Sequence, residues 1–72
     1  MTKNELAFAV FCLENLAEHM DHKGDEIYKL LTEQSDILDN YIIPCSEALH
    51  TQGKEYIVND IIEVMREKGL SV

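Results

Sequence analysis

Two clusters of side chains have the types and spacing from which chemistry is built. The first is His50-Thr51 with Asp60, either side of Gly53 and Tyr56. His50 lies where a helix is expected to end, and the negative end of the helix dipole favours a protonated imidazole there. If the chain folds back at Gly53, Asp60 comes within reach of His50 and Thr51. Buried polar groups are normally paired for structural reasons, so these residues are expected chiefly to pin the corner. Acid–base catalysis would need a nucleophile, an oxyanion donor or a second base nearby, and the neighbouring sequence offers none. The second cluster is Glu18-His19-Met20-Asp21-His22. His19 and His22 share one side of a helix, and Asp25 or Glu26 can approach from the next segment. A zinc site needs four convergent ligands, and this spacing secures two, so a solvated helix end is the expected reading. The run from Asp21 to Glu26 lacks the ligand spacing of a calcium loop. No metal or cofactor is expected.

These residues sit on a chain that reads as all-α. Its 72 residues hold one Pro and three Gly, and 46% are apolar. That length allows a single domain spanning 1–72, and that apolar content is too high for a disordered tail. Apolar periodicity divides the chain into a compact bundle of four to five helices, about 3–22, 25–33, 35–42, 44–50 and 54–68. Thr2 and Glu5 form a capping box for the first helix. Leu6, Ala9, Val10, Leu13, Leu16, Ala17 and Met20 recur at helical spacing and are expected to face the core. Phe8, Phe11 and Cys12 form a second strip, from which Phe8 and Phe11 are assigned to an interface. Gly24 is expected to end the first helix in a left-handed conformation.

Later helices follow the same logic. Ile27, Tyr28, Leu30 and Leu31 are expected inward on the second, and Ile37, Leu38, Tyr41 and Ile42 on the third, which Ser35-Asp36 caps. Pro44 lacks an N–H, so a break near Ile43 and a fresh turn to His50 are expected, with Ala48 and Leu49 in the core. The last helix turns its Ile57, Ile61, Val64 and Met65 face inward, widened by Tyr56, Val58 and Ile62, and stops at Gly69 before a short tail, Leu70-Ser71-Val72.

Charge narrows the partners. Six Lys+Arg against fourteen Asp+Glu give −8, which repels nucleic acid and anionic membranes and attracts a basic protein. A helix-turn-helix reading of 25–42 would push Asp36 and Asp39 at phosphates, and electrostatics rejects it. No phosphate-binding Gly-rich loop is present. Cys12 and Cys45 form no C-x-x-C pair, the apolar run Leu6 to Leu13 is too short to span a bilayer, and its flanking Glu5 and Glu14 lead to the expectation of no signal peptide. A cytoplasmic protein is expected.

Ser35-Asp36-Ile37-Leu38, Tyr41-Ile42-Ile43-Pro44 and Leu49-His50-Thr51-Gln52-Gly53-Lys54-Glu55-Tyr56-Ile57-Val58, with Asp60-Ile61, resemble the bacterial family catalogued as domain of unknown function 3791. Phe8-Ala9-Val10-Phe11-Cys12-Leu13-Glu14-Asn15 resembles that family's opening helix. The likeness covers nearly the whole chain, and the Leu-His-Thr-Gln-Gly corner is its most specific part. Cys45-Ser46 departs from it, standing where the family carries a bulkier residue. The resemblance implies a small intracellular bacterial protein with no established activity. It also implies an accessory or antitoxin-like role beside an ADP-ribosyltransferase-like protein. The reading from residues and resemblance together is a non-enzymatic protein-interaction or regulatory module, with a homodimer as one expected form. The alternative is a small-ligand or metal-binding protein using His50/Asp60 or His19/His22.

Overall fold

The computed structural model describes residues 1–70, so Ser71 and Val72 of the expected tail lie outside the described residues. Helix α1, Lys3–Met20, is followed by α2, Gly24–Thr32, a π-helical turn, Leu38–Ile42, the short α3, Ser46–Leu49, and α4, Lys54–Glu67. There is no strand among the described residues. The all-α bundle is as expected, with α1 packed on α2 and α4.

Helix ends show why the boundaries fall where they do. The Thr2 hydroxyl accepts from the Glu5 N–H at 3.1 Å, and the Glu5 carboxylate accepts from the Thr2 N–H at 2.8 Å. This capping box satisfies two donors that the first turn leaves open. At the other end α1 stops earlier than expected. Asp21, and not Gly24, takes the left-handed conformation, at φ 56°. His22 and Asp21 then donate N–H bonds back to Ala17 and Glu18. Gly24 instead opens α2, where the Glu26 carboxylate accepts from the Lys23 N–H at 3.2 Å. Helix α4 closes on a Schellman motif: Gly69, at φ 80°, donates to Arg66, and Leu70 donates to Met65.

Pro44 shapes the middle of the chain. It has no N–H for the Asn40 carbonyl, and its ring would clash with that carbonyl in a regular helix. The preceding turn widens, so that the Ile43 N–H reaches back to Leu38 at 3.0 Å in π geometry. The chain restarts only at Ser46. Ser35 serves both neighbours of its loop, donating to the Leu30 carbonyl at 2.7 Å and accepting from the Ile37 N–H at 3.4 Å.

The core is one cluster in which Cys12, Leu16, Ile27, Leu31, Ile37, Ile42, Ile61 and Met65 are fully buried. Burial of each large side chain contributes about 1.5–3 kcal/mol. On α1 the buried residues are Phe8, Ala9, Cys12 and Leu16, while Leu6 and Val10 are exposed. The buried sector is therefore turned by roughly 85° from the expected one, at 100° per residue. It takes in Ala9 and Leu16 of the first strip and Phe8 and Cys12 of the second. Phe8 and Cys12 belong to the core, which corrects the assignment of Phe8 to an interface. Tyr28 and Tyr56, expected inward, are also exposed, as is Ala48. Each lies at the edge of its helix's apolar stripe, where no neighbouring element covers it.

Gly53 does not use its conformational freedom. Its φ of −70° is open to any residue, and a Cβ there would meet nothing within 4 Å. It is the N-cap of α4 without a capping side chain. Gly53→Asp should therefore stabilise the protein by about 0.5–1 kcal/mol, by capping α4 and stiffening the unfolded chain. Gly69→Ala should destabilise it by about 1 kcal/mol, because its positive φ strains a Cβ. Thermal unfolding of both variants checks the pair: a lower Tm for Gly53→Asp, or an unchanged one for Gly69→Ala, contradicts these cap assignments.

Candidate functional site

The structure does not bring His50, Thr51 and Asp60 together. Thr51 closes its own turn, its hydroxyl donating to the Ala48 carbonyl at 2.9 Å. Asp60, half-buried on α4, accepts a short hydrogen bond from the Tyr41 hydroxyl. That bond, and then burial, push the Tyr41 pKa upward. It ties the π-helical turn to α4, while Lys68, just past α4, reaches the loop before that turn, its Nζ 3.0 Å from the Asp36 carboxylate. Hydrogen bonds from Asn40 and Lys68 hold the Asp36 carboxyl below the usual range. The polar tie of this region is thus Tyr41–Asp60. Sequence reasoning took Tyr41 for a core residue, because periodicity registers its ring and not its hydroxyl.

His50 faces elsewhere. It is exposed, and its side chain makes no hydrogen bond among the described residues. It lines an open groove of about 960 Å³ between the first half of α1 and the segment from α3 to the corner. Phe8, Phe11 and Ile57 supply the apolar lining, Thr2, Glu5, Glu47 and Gln52 the polar rim, and Ser46 lies among them. Phe8 and Phe11 stack with ring centroids 6.3 Å apart and planes at 16°. Phe8 is 8% exposed and Phe11 38%, so the pair runs from the core out onto the groove wall. The two features singled out in the sequence, the Phe8/Phe11 strip and the His50 corner, therefore meet on one surface. Gly53, Tyr56 and Asp60 lie outside its lining.

The groove has a definite electrostatic character. Glu5 and Glu47 line it, one on each wall, and among the described residues no Lys or Arg does. Glu47 has no ion-pair partner among the described residues, whereas Glu5 is partly engaged in the capping box. The site is apolar at its floor and anionic at its rim, suited to a ligand that is apolar and cationic.

At the far end of α1, His19 and His22 line a shallow recess of about 190 Å³ with Met20, Ile62 and Arg66. His22 Nδ1 lies 3.7 Å from the Glu26 carboxylate. Among the described residues no three His, Cys, Asp or Glu side chains converge as a metal site would require. The Arg66 cation in the recess adds repulsion. Of the thiols, Cys12 is fully buried, and burial pushes its pKa from 9.0 to about 12, while Cys45 is half-buried. Thiolate chemistry at Cys12 is suppressed.

Two predictions follow from these placements. Tyr41→Phe should cost about 1 kcal/mol, discounting a charge-assisted bond for its partial exposure, while His50→Ala should stay within about 0.5 kcal/mol of the parent. Denaturant titration separates them, and a large loss for His50→Ala would restore a pinning role. The second concerns alkaline pH. The folded-state pKa of Cys12 lies above its unfolded value, so its contribution is complete below pH 9.0 and is lost as pH rises towards about 12. Stability of Cys12→Ala should consequently fall less steeply across that window than that of the parent. Identical slopes would contradict burial of this thiol.

Among curated proteins and among solved structures, nothing matches significantly. A family model described as "protein of unknown function (DUF3791)" matches residues 7–68, which takes in α1 almost entire, the Pro44 break, the corner and α4. The chain belongs to the family of proteins of unknown function DUF3791.

Proposed function

We propose that this chain is a non-enzymatic interaction module that docks a basic protein partner on the groove between α1 and the α3 corner. One observation carries the reading: Phe11, left 38% exposed beside a buried Phe8, shares its groove with the His50 corner and two carboxylates. Exposed aromatic surface next to a packed floor is where binding energy concentrates in interfaces. A rim of one charge sign then steers and selects the partner. Among the described residues the His50 side chain makes no hydrogen bond that would orient or activate it, which favours recognition over catalysis. Two copies of the chain would bring two −8 surfaces together, so a basic partner suits the groove better than self-association. The accessory or antitoxin-like role implied by the family resemblance is one form of this reading, with an intracellular partner. No described helix is long and apolar enough to cross a membrane.

The test compares two exposed apolar residues on the same helix. Phe11→Ser should leave the fold intact and weaken binding of a protein captured by the parent chain about tenfold or more. Leu6→Ser, 55% exposed and outside the groove lining, should bind that protein as the parent does. Phe8→Ala is unsuitable as a probe of docking, because truncating that core ring costs about 3 kcal/mol or more. A partner retained by Phe11→Ser and lost by Leu6→Ser overturns the assignment. A dimer in sedimentation that Phe11→Ser dissociates would replace the basic partner with a second copy.

A further inference from the structure

The groove constrains the chemistry of its occupant beyond the class of partner. We infer that it takes an amphipathic helix, with apolar side chains seated on Phe8, Phe11 and Ile57 and Lys or Arg side chains reaching Glu5 and Glu47. This rests on the docking reading above and deepens it.

Four observations lead there. The walls belong to helices α1 and α3, and the described residues contain no strand whose edge could extend an incoming one, so strand addition is unavailable. Helix-in-groove docking is the mode that matches an apolar trough between helices. The unpaired Glu47 carboxylate and the Glu5 carboxylate sit on opposite walls, so cations flanking the apolar stripe of a helix meet one on each side. A wholly apolar segment would leave those carboxylates partly desolvated without compensation. Between them lies Ser46, only 8% exposed, whose hydroxyl makes no hydrogen bond among the described residues although it lines the groove. That hydroxyl is open to water and so is not left buried without a partner in the free protein, and a docked helix that covers it must offer an amide or hydroxyl in place of water. Shape agrees with this ligand: the trough of about 960 Å³ is open to solvent, whereas a small-molecule site encloses most of its ligand.

The experiment uses the intact chain, uniformly labelled with ¹⁵N, and two synthetic helical peptides. One carries a leucine stripe flanked by lysines, and the other is identical except that glutamate replaces lysine. The lysine peptide is expected to shift the amide resonances of Phe11, Ser46, Glu47 and His50 in a saturable manner, and the glutamate peptide to shift none. Glu47→Lys should weaken the lysine peptide about tenfold, and Phe11→Ser should do the same while leaving the unperturbed spectrum native-like. Ser46→Ala, which removes the unpartnered hydroxyl, should leave leucine–lysine binding unchanged but lose any preference for a peptide with asparagine in its stripe. Equal binding of both peptides overturns the inference, as do lysine-peptide shifts spread over the acidic surface with no effect of Phe11→Ser. Failure of both peptides to bind, with a natural partner still lost on Phe11→Ser, rejects the cationic helix and leaves groove docking standing. Indifference of that natural partner to Phe11→Ser rejects the groove itself.

Discussion

A chain this short has one buried seam with which to offset its conformational entropy, and the rest of the molecule is arranged to close it. Phe8, Ala9, Cys12 and Leu16 of α1 face the core that α4 enters with Ile57, Val58, Ile61 and Met65. Leu16, Ile61 and Met65 retain no exposure at all. Each such side chain contributes a few kcal/mol, a large share of the net stability of a small domain. The polar ties outside the seam, Tyr41–Asp60 and Lys68–Asp36, hold the π-helical turn and the loop before it in register with α4. They add less, because both are partly open to water.

The groove is a consequence of how α1 meets that seam. Successive residues of a helix turn by about 100°, so a stripe that buries Phe8, Cys12 and Leu16 carries Phe11 to its edge. The elements that could have covered Phe11 are diverted by Pro44. Its missing N–H and bulky ring widen one turn, interrupt the helix and send the chain through the short α3 to the corner at His50. A straight helix from Asp36 onward would have no such corner. The same break leaves the largely buried Ser46 on the groove wall and Glu47 without an ion-pair partner among the described residues.

Much of this was legible from residue pattern. The all-α class, the Thr2–Glu5 capping box, the disturbance at Pro44 and the stop at Gly69 depend on local rules, and local rules are written in neighbouring residues. Ile57, Ile61 and Met65 were equally plain, since one side of α4 is clearly apolar. Orientation of α1 was not, because apolar residues occupy most of its circumference and periodicity cannot choose among overlapping stripes. Periodicity therefore groups Phe8 with Phe11 at a surface, whereas one ring packs inward and the other lines the groove. The corner failed differently. Its polar residues are close in sequence, but His50, Thr51 and Asp60 point to three different places, and the Tyr41 hydroxyl that Asp60 binds is nineteen positions away. Gly53 was read as a turn residue and is an uncapped helix start.

If the groove is where a partner docks, the accessible ring on its wall must become inaccessible when the partner arrives. A soluble paramagnetic chelate broadens resonances in proportion to their exposure, and a comparison of free and partner-bound protein reads that directly. Phe11 ring protons should be strongly broadened in the free protein and protected in the complex, while Phe8 is little affected in either and the Leu6 and Val10 methyls stay broadened in both. Protection of Leu6 and Val10 with Phe11 still broadened would place the partner on the other side of α1 and contradict the account.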